Sequence, residues 1–174
     1  MQTTLDSMQN HCRKGKLVEV LTLIKSNKDQ GIKIELNGAF EEKVSLTELV
    51  GPFNGTLEVN CKGITRINSV GVKEWIRYFQ SLVQQNKQFY FSECSPPVVE
   101  QFNVISNFGC GGKVESIYLP YSCTKCKIEF SAKCMVSDLL KSGLEVPAVN
   151  CEKENCEAVL DTDADEYFYF LDLY

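Results

Sequence analysis

One stretch narrows the choice of fold more than any other. Thr56 to Asn60 reads Thr-Leu-Glu-Val-Asn, a strand pattern, and beyond the polar loop around Asn68 the apolar residues change period. Val72, Trp75, Ile76, Phe79, Leu82 and Val83 fall at i, i+3, i+4, i+7, i+10 and i+11, the stripe of a half-buried helix. Strand, loop and helix in immediate succession predict an α/β fold. Asn68 and Ser69 can each accept hydrogen bonds from the unpaired N–H groups of the helix start, and Gly71 lets the backbone come close to a neighbour. Ser69 therefore reads in two ways. It is a helix cap, or it is a hydroxyl whose phosphate would sit where the helix dipole favours an anion.

The flanking segments extend the pattern. Ile32 to Leu36 alternates strictly and Leu17 to Ile24 is rich in branched residues, so with the polar turn Lys25 to Gly31 they predict a hairpin; Leu17 to Ile24 also fits a helix. A short helix is predicted within Glu41 to Val50, ended by Gly51-Pro52, and a strand at Gln88 to Ser92. Ser95-Pro96-Pro97 opens another helix, with Val98, Val99, Phe102 and Ile105 on its apolar face. Residues 1–15 are polar and read as an N-terminal arm.

The order of these elements, and Arg66-Ile67-Asn68-Ser69-Val70-Gly71-Val72 at the start of the main helix, resemble the STAS domain of sulfate transporters and anti-sigma factor antagonists. The resemblance covers residues from about 17 to 119. It implies a mixed β-sheet with helices packed mainly on one face, over a domain at 16–119. Asn68 stands where that family usually has Asp, and Val70 where it often has a second hydroxyl. Ser69 takes the place of the family's phosphorylatable residue. The expected function is non-enzymatic regulation in a bacterial-type signalling system, through binding an anti-sigma factor or kinase-like regulator. The expected contact edge is Asn68, Ser69, Val70, Lys73, Glu74 and Arg77, with Lys73, Glu74 and Arg77 on the solvent side. The alternative is a structural adaptor or STAS subunit of a transport or multiprotein complex, with Ser69 only a cap.

The second organising feature is cysteine. Nine are present, an odd count, and five lie between Cys123 and Cys156, which favours metal ligands and reduced core thiols over a disulfide framework. Cys123-x2-Cys126 and Cys151-x4-Cys156 are separated by 24 residues, close to the spacing of a zinc ribbon, where two knuckles on separate hairpins bring four thiolates to one tetrahedral Zn(II). Such a site is coordinatively closed, so the metal would be structural. The plainer reading is four reduced, buried thiols. Cys134 either replaces a ligand or packs in a small core. Residues 120–174 are thus expected to form a β-rich, zinc-ribbon-like module. Its C-terminal helix would be capped by Asp161 or Thr162, with Tyr167, Phe168, Phe170, Leu171 and Tyr174 on the apolar face.

Charge and composition exclude several classes. A formal charge of -5 leaves no surplus of Lys and Arg for indiscriminate binding to nucleic acid or anionic lipid. No apolar run is long enough for a membrane helix and the N-terminus lacks a secretory pattern, so no membrane insertion and a cytoplasmic location are expected. His11 is the single histidine, and Glu41-Glu42 and the Asp161 to Glu166 cluster read as solvated faces or caps. Nothing around Cys61, Cys94 or Cys110 activates a thiol, so no enzyme is expected.

Overall fold

A computed structural model describes residues 21–41 and 44–173. The first strands are β1 (Thr22–Lys28) and β2 (Gly31–Phe40), followed by the short helix α1 (Leu46–Val50), β3 (Thr56–Ile67) and the main helix α2 (Ser69–Gln84). Then come β4 (Phe89–Ser92), α3 (Pro96–Val104), β5 (Lys113–Val114), β6 (Ser116–Cys123), β7 (Ile128–Met135) and α4 (Val136–Ser142). The chain closes with β8 (Val149–Asn150), β9 (Glu157–Leu160), α5 (Ala164–Phe168) and a 3-10 turn, Tyr169–Leu173. The architecture is mixed α/β with two sheets. The expected N-terminal arm, Leu17 to Val20, Glu42 and Tyr174 lie outside the described residues.

The first sheet has the order β1-β2-β3-β4-β5. β1 runs antiparallel to β2, while β2, β3, β4 and β5 are mutually parallel. Parallel neighbours need a crossover, and α1, α2 and α3 supply the three. β1 extends through Lys28, so the polar run expected to be all turn is mostly strand and only Asp29 and Gln30 connect the hairpin. β3 also outruns its expected end. It continues to Ile67 because β2 bulges between Glu35 and Asn37 and between Gly38 and Ala39, keeping the ladder paired past the weakly patterned Cys61-Lys62-Gly63.

α2 buries its apolar face on this sheet. Trp75 is fully buried, 4.7 Å from the Phe79 ring centroid, stacked 5.3 Å from Phe91 and 4.9 Å from Phe108. Its indole N–H donates to the Phe108 carbonyl at 2.9 Å, so the largest side chain of the core leaves no donor unpaired. The buried stripe is Gly71, Trp75, Tyr78, Phe79 and Leu82, shifted slightly from the expected one, so that Tyr78 is inside and Val83 is 49% exposed. α3 lies on the same face through Phe102 against Phe91. Ser95 occupies the N-cap position but does not cap. Pro97 at the second helical position has no N–H and the Val98 N–H goes to the Ser95 carbonyl at 2.9 Å, while the Ser95 hydroxyl donates to Ile64 O at 2.7 Å, fastening α3 to β3.

The second sheet has the order β7-β6-β9-β8 and is antiparallel throughout. It begins at Ser116, a few residues upstream of the expected division between 119 and 120. The two sheets are joined by backbone: Cys94 N donates to Ser116 O at 3.0 Å and Tyr118 N to Cys94 O at 2.8 Å. They also share one hydrophobic core, which runs from Ile34 and Trp75 through Ile117 and Tyr121 to Phe168 and Phe170. α5 is capped by Asp163, whose side chain accepts from Glu166 N at 3.1 Å, and not by Asp161 or Thr162. Tyr167, Phe168, Phe170 and Leu171 are buried, and the Tyr167 hydroxyl donates to Tyr118 O at 2.6 Å. Among the described residues no helix is long and apolar enough to cross a membrane.

Candidate metal centre and helix edge

Two hairpin tips build the cysteine cluster. β6 ends at Cys123, and the chain reverses through Thr124 to Lys127, with Lys127 left-handed at φ 54 and its N–H donating to Cys123 O at 2.9 Å. This turn points the Cys126 N–H at Cys123 Sγ, 3.3 Å away. At the other tip Cys151 N donates to Cys156 O at 2.8 Å, Asn155 N donates to Cys151 O at 3.0 Å, and Asn155 is left-handed at φ 51. Asparagine tolerates that conformation better than most residues. Because β9 pairs with β6 at Tyr121 and Ser122, the two tips lie side by side. Lys125 and Glu154 form an ion pair between them at 3.1 Å.

The outcome is four sulfurs, of Cys123, Cys126, Cys151 and Cys156, all within 4.8 Å of one another and close enough to hold a metal ion. Four of the separations are 3.4 Å for Cys126–Cys156, 3.5 Å for Cys151–Cys156, 3.6 Å for Cys126–Cys151 and 3.7 Å for Cys123–Cys156. Cys123 and Cys151 are buried and the other two half-buried. The Glu154 backbone N–H, with that of Cys156, holds the Cys151 thiol down to about 6. The Cys126 thiol is pushed up by its contact with Cys156.

Cys134 is not part of this group. It lies on β7 opposite Ile117, six residues along β6 from Cys123, which is roughly 20 Å for an extended strand. Cys61 and Cys94 are fully buried. Burial, with the neighbouring Cys94 thiol, pushes Cys61 well up, and burial also raises Cys110. Neither Cys61 nor Cys110 is therefore placed to be a reactive thiolate.

The start of α2 is the second candidate. Asn68, not Ser69, is the cap: its Oδ1 accepts from Val70 N at 2.9 Å and Gly71 N at 3.0 Å. Asn68 Nδ2 donates to Glu41 O at 2.9 Å, its backbone N–H donates to Phe40 O at 3.2 Å, and the Glu41 carboxylate pairs with Arg66. The main chain after β2 therefore selects Asn68 over its neighbour. Ser69 occupies the first helical position with its side chain exposed. Gly71 meets a close approach, since a Cβ there would lie 2.9 Å from the Phe40 carbonyl carbon and nearer still to its oxygen.

Of the expected contact residues, Val70, Lys73 and Arg77 are exposed and Asn68 is half-buried. Glu74 is a correction: its side chain is only 10% exposed, accepts from Leu46 N at 3.0 Å and pairs with Arg77, so it ties α1 to α2. The structure brings Val70, Lys73, Glu74 and Arg77 together around a shallow recess of about 330 Å³ with Val44 and Ser45. The last two were not singled out by sequence; the Ser45-x-x-Glu48 spacing, in which Ser45 Oγ accepts from Glu48 N at 3.3 Å, is the signal that locates them.

Compared with protein-family models, with curated proteins and with solved structures, the chain matches none of them.

Proposed function

We propose that this chain is a non-enzymatic, protein-binding regulator of the STAS kind, similar to anti-sigma factor antagonists, whose second sheet is stabilised by one structural Zn(II). The observation that carries the regulatory reading is the edge at the head of α2, where an exposed Ser69 hydroxyl adjoins Val70, Lys73 and the recess beside Arg77. Support for the STAS reading comes from the sheet itself, one antiparallel edge strand followed by parallel strands, with α2 and α3 packed on one face. The partner is an anti-sigma factor or a kinase-like regulator. Phosphate on Ser69 adds charge beside Val70 and Lys73. Because Asn68 already occupies the Val70 and Gly71 N–H groups, that charge acts on the docking surface and gains little from the helix start.

Zinc is supported by the donor set. Four thiolates at the usual Zn–S length of about 2.3 Å define a tetrahedron with edges of roughly 3.8 Å, against four sulfur separations of 3.4 to 3.7 Å here. Cys123, Cys126, Cys151 and Cys156 would hold the ion, leaving no open position for chemistry. The same Asn68 cap favours a second reading. A helix start that is complete without phosphate suits a metal-stabilised adaptor or complex subunit, with Ser69 unmodified.

Mass spectrometry of the protein purified from its own cells separates these readings. One zinc in the native spectrum and phosphate on Ser69 in fragments across Asn68 to Arg77 are the expected results. Zinc without phosphate in every growth condition leaves the adaptor. A native mass equal to that of the metal-free chain overturns the zinc assignment. Association with a cognate kinase or anti-sigma factor that survives Ser69→Asp unchanged removes the switch.

A further inference from the structure

A recess of about 870 Å³ opens where the two sheets meet, between α3 and the C-terminal helical segment. Its walls are two helical stripes. Pro97, Glu100 and Val104 stand at i, i+3 and i+7 on α3, while Asp165, Glu166 and Tyr169 stand on the facing C-terminal segment. Pro120 of β6 lies between them. The walls are pinned, not loosely apposed: Asn103 Nδ2 donates to Tyr167 O at 3.1 Å, and Phe170 N donates to Asn103 Oδ1 at 2.9 Å. Rings of Phe102 and Phe170 meet behind them at 5.5 Å.

Two properties set this recess apart. Each wall presents a large apolar side chain to solvent, Val104 at 73% exposure and Tyr169 at 55%, within a concave surface. Each wall also carries exposed carboxylates, Glu100 on one and Asp165 and Glu166 on the other, and among the described residues none of the three forms an ion pair. No Lys or Arg lines the recess. An apolar cleft rimmed by charge of one sign fits a segment with apolar anchors and opposite charge.

We infer that this cleft binds a basic peptide segment of a partner protein, seating an aliphatic side chain between Val104 and Tyr169 while Lys or Arg residues meet Glu100, Asp165 and Glu166. A second copy of the chain is a poor occupant, because each copy carries a net charge of -5 and the cleft is itself acidic. The site shares no residue with the cysteine cluster or the head of α2, so it stands apart from the function proposed above.

The test uses the full chain and a fluorophore-labelled peptide in which leucine and proline alternate with lysine, followed by anisotropy. Saturable binding is expected, weakened by added salt and reduced about tenfold by the double reversal Glu100→Lys with Glu166→Lys. A peptide with glutamate at every lysine should prefer that double variant, a reversal of specificity that a merely destabilised surface would not produce. Val104→Asp should weaken binding of the basic peptide, and the Asn103 side-chain amide should shift in NMR spectra on titration. Absence of binding, or binding indifferent to the charge reversal and to Val104→Asp, overturns the assignment. So does self-association of the unmodified chain that Val104→Asp abolishes.

Discussion

Replacing Gly71 by alanine tests whether the head of α2 is seated as tightly as the structure shows. In an ordinary helix interior the change stabilises by up to about 1 kcal/mol, because glycine is the poorer helix former. Here the new methyl would lie 2.9 Å from the Phe40 carbonyl carbon and 3.1 Å from Phe40 Cγ, with the carbonyl oxygen closer than either. Phe40 cannot swing aside. It is fully buried, its backbone is paired with Ile67, and its carbonyl accepts the Asn68 N–H. Relief requires the helix start and the end of β2 to part by on the order of 1 Å, an overpacking cost of about 1 to 3 kcal/mol, with roughly 1 kcal/mol more for the weakened Asn68 hydrogen bond. The clash outweighs the propensity gain, leaving a net loss of about 1 to 3 kcal/mol. For a chain of 174 residues that lowers Tm by roughly 2 to 12 °C. Urea denaturation followed by circular dichroism, with metal content matched, measures it. Gln80→Ala on the exposed side of the same helix should stay within about 0.5 kcal/mol of the parent. A Gly71→Ala protein as stable as the parent, or more so, would refute the close approach.

Four further substitutions probe other parts of the molecule. Asn68→Ala should destabilise by about 1 to 2 kcal/mol in the same titration, whereas Ser69→Ala should be nearly neutral, because only Asn68 caps α2. Glu58 lies in the first sheet, where burial alone would raise its carboxyl, but Lys28, Ser92 and Tyr90 donate to it and hold it below the ordinary value. A depressed carboxylate contributes stability above its unfolded pKa of about 4.3 and loses it as pH falls through the folded value. Glu58→Gln should therefore be less stable by about 1 to 2 kcal/mol at pH 7, with the gap closing below about pH 4 in urea titrations at stepped pH. Tyr167→Phe should remove about 1 kcal/mol by stranding the Tyr118 carbonyl, and amide exchange should rise along β6 and α5.

The parts of this fold that were legible in the sequence are those fixed by near neighbours along the chain. The α2 stripe and the Phe89–Ser92 strand follow from side-chain period, and the two cysteine tips from turns that each need only a few residues. Where the outcome depended on distant backbone, local pattern was insufficient. Asn68 and Ser69 are both competent caps, and the choice between them is made by Glu41 and Phe40, some 27 residues upstream in the case of the Asn68–Glu41 contact. Glu74 looks solvent-facing on a helical wheel until α1 arrives with an N–H to satisfy. β3 reads as ended at Asn60 because only pairing with a bulged β2 carries it through to Ile67. The acidic cleft is invisible for the same reason: Glu100 and Glu166 are unremarkable surface residues until α3 and α5 are set side by side.

The packing of Trp75 also gives the molecule an internal optical probe. It is the single tryptophan, sealed among Phe79, Phe91 and Phe108, with its indole N–H on a main-chain carbonyl. Its emission should be blue-shifted and shielded from soluble quenchers while α2 stays on the first sheet, whereas Tyr118, Tyr121 and Tyr167 sit on or against the second. The first half can thus be watched without a label. If a chelator loosens the cysteine tips, a silent tryptophan would show that the packing of α2 on the first sheet is untouched, and a red shift would show the damage crossing the shared core.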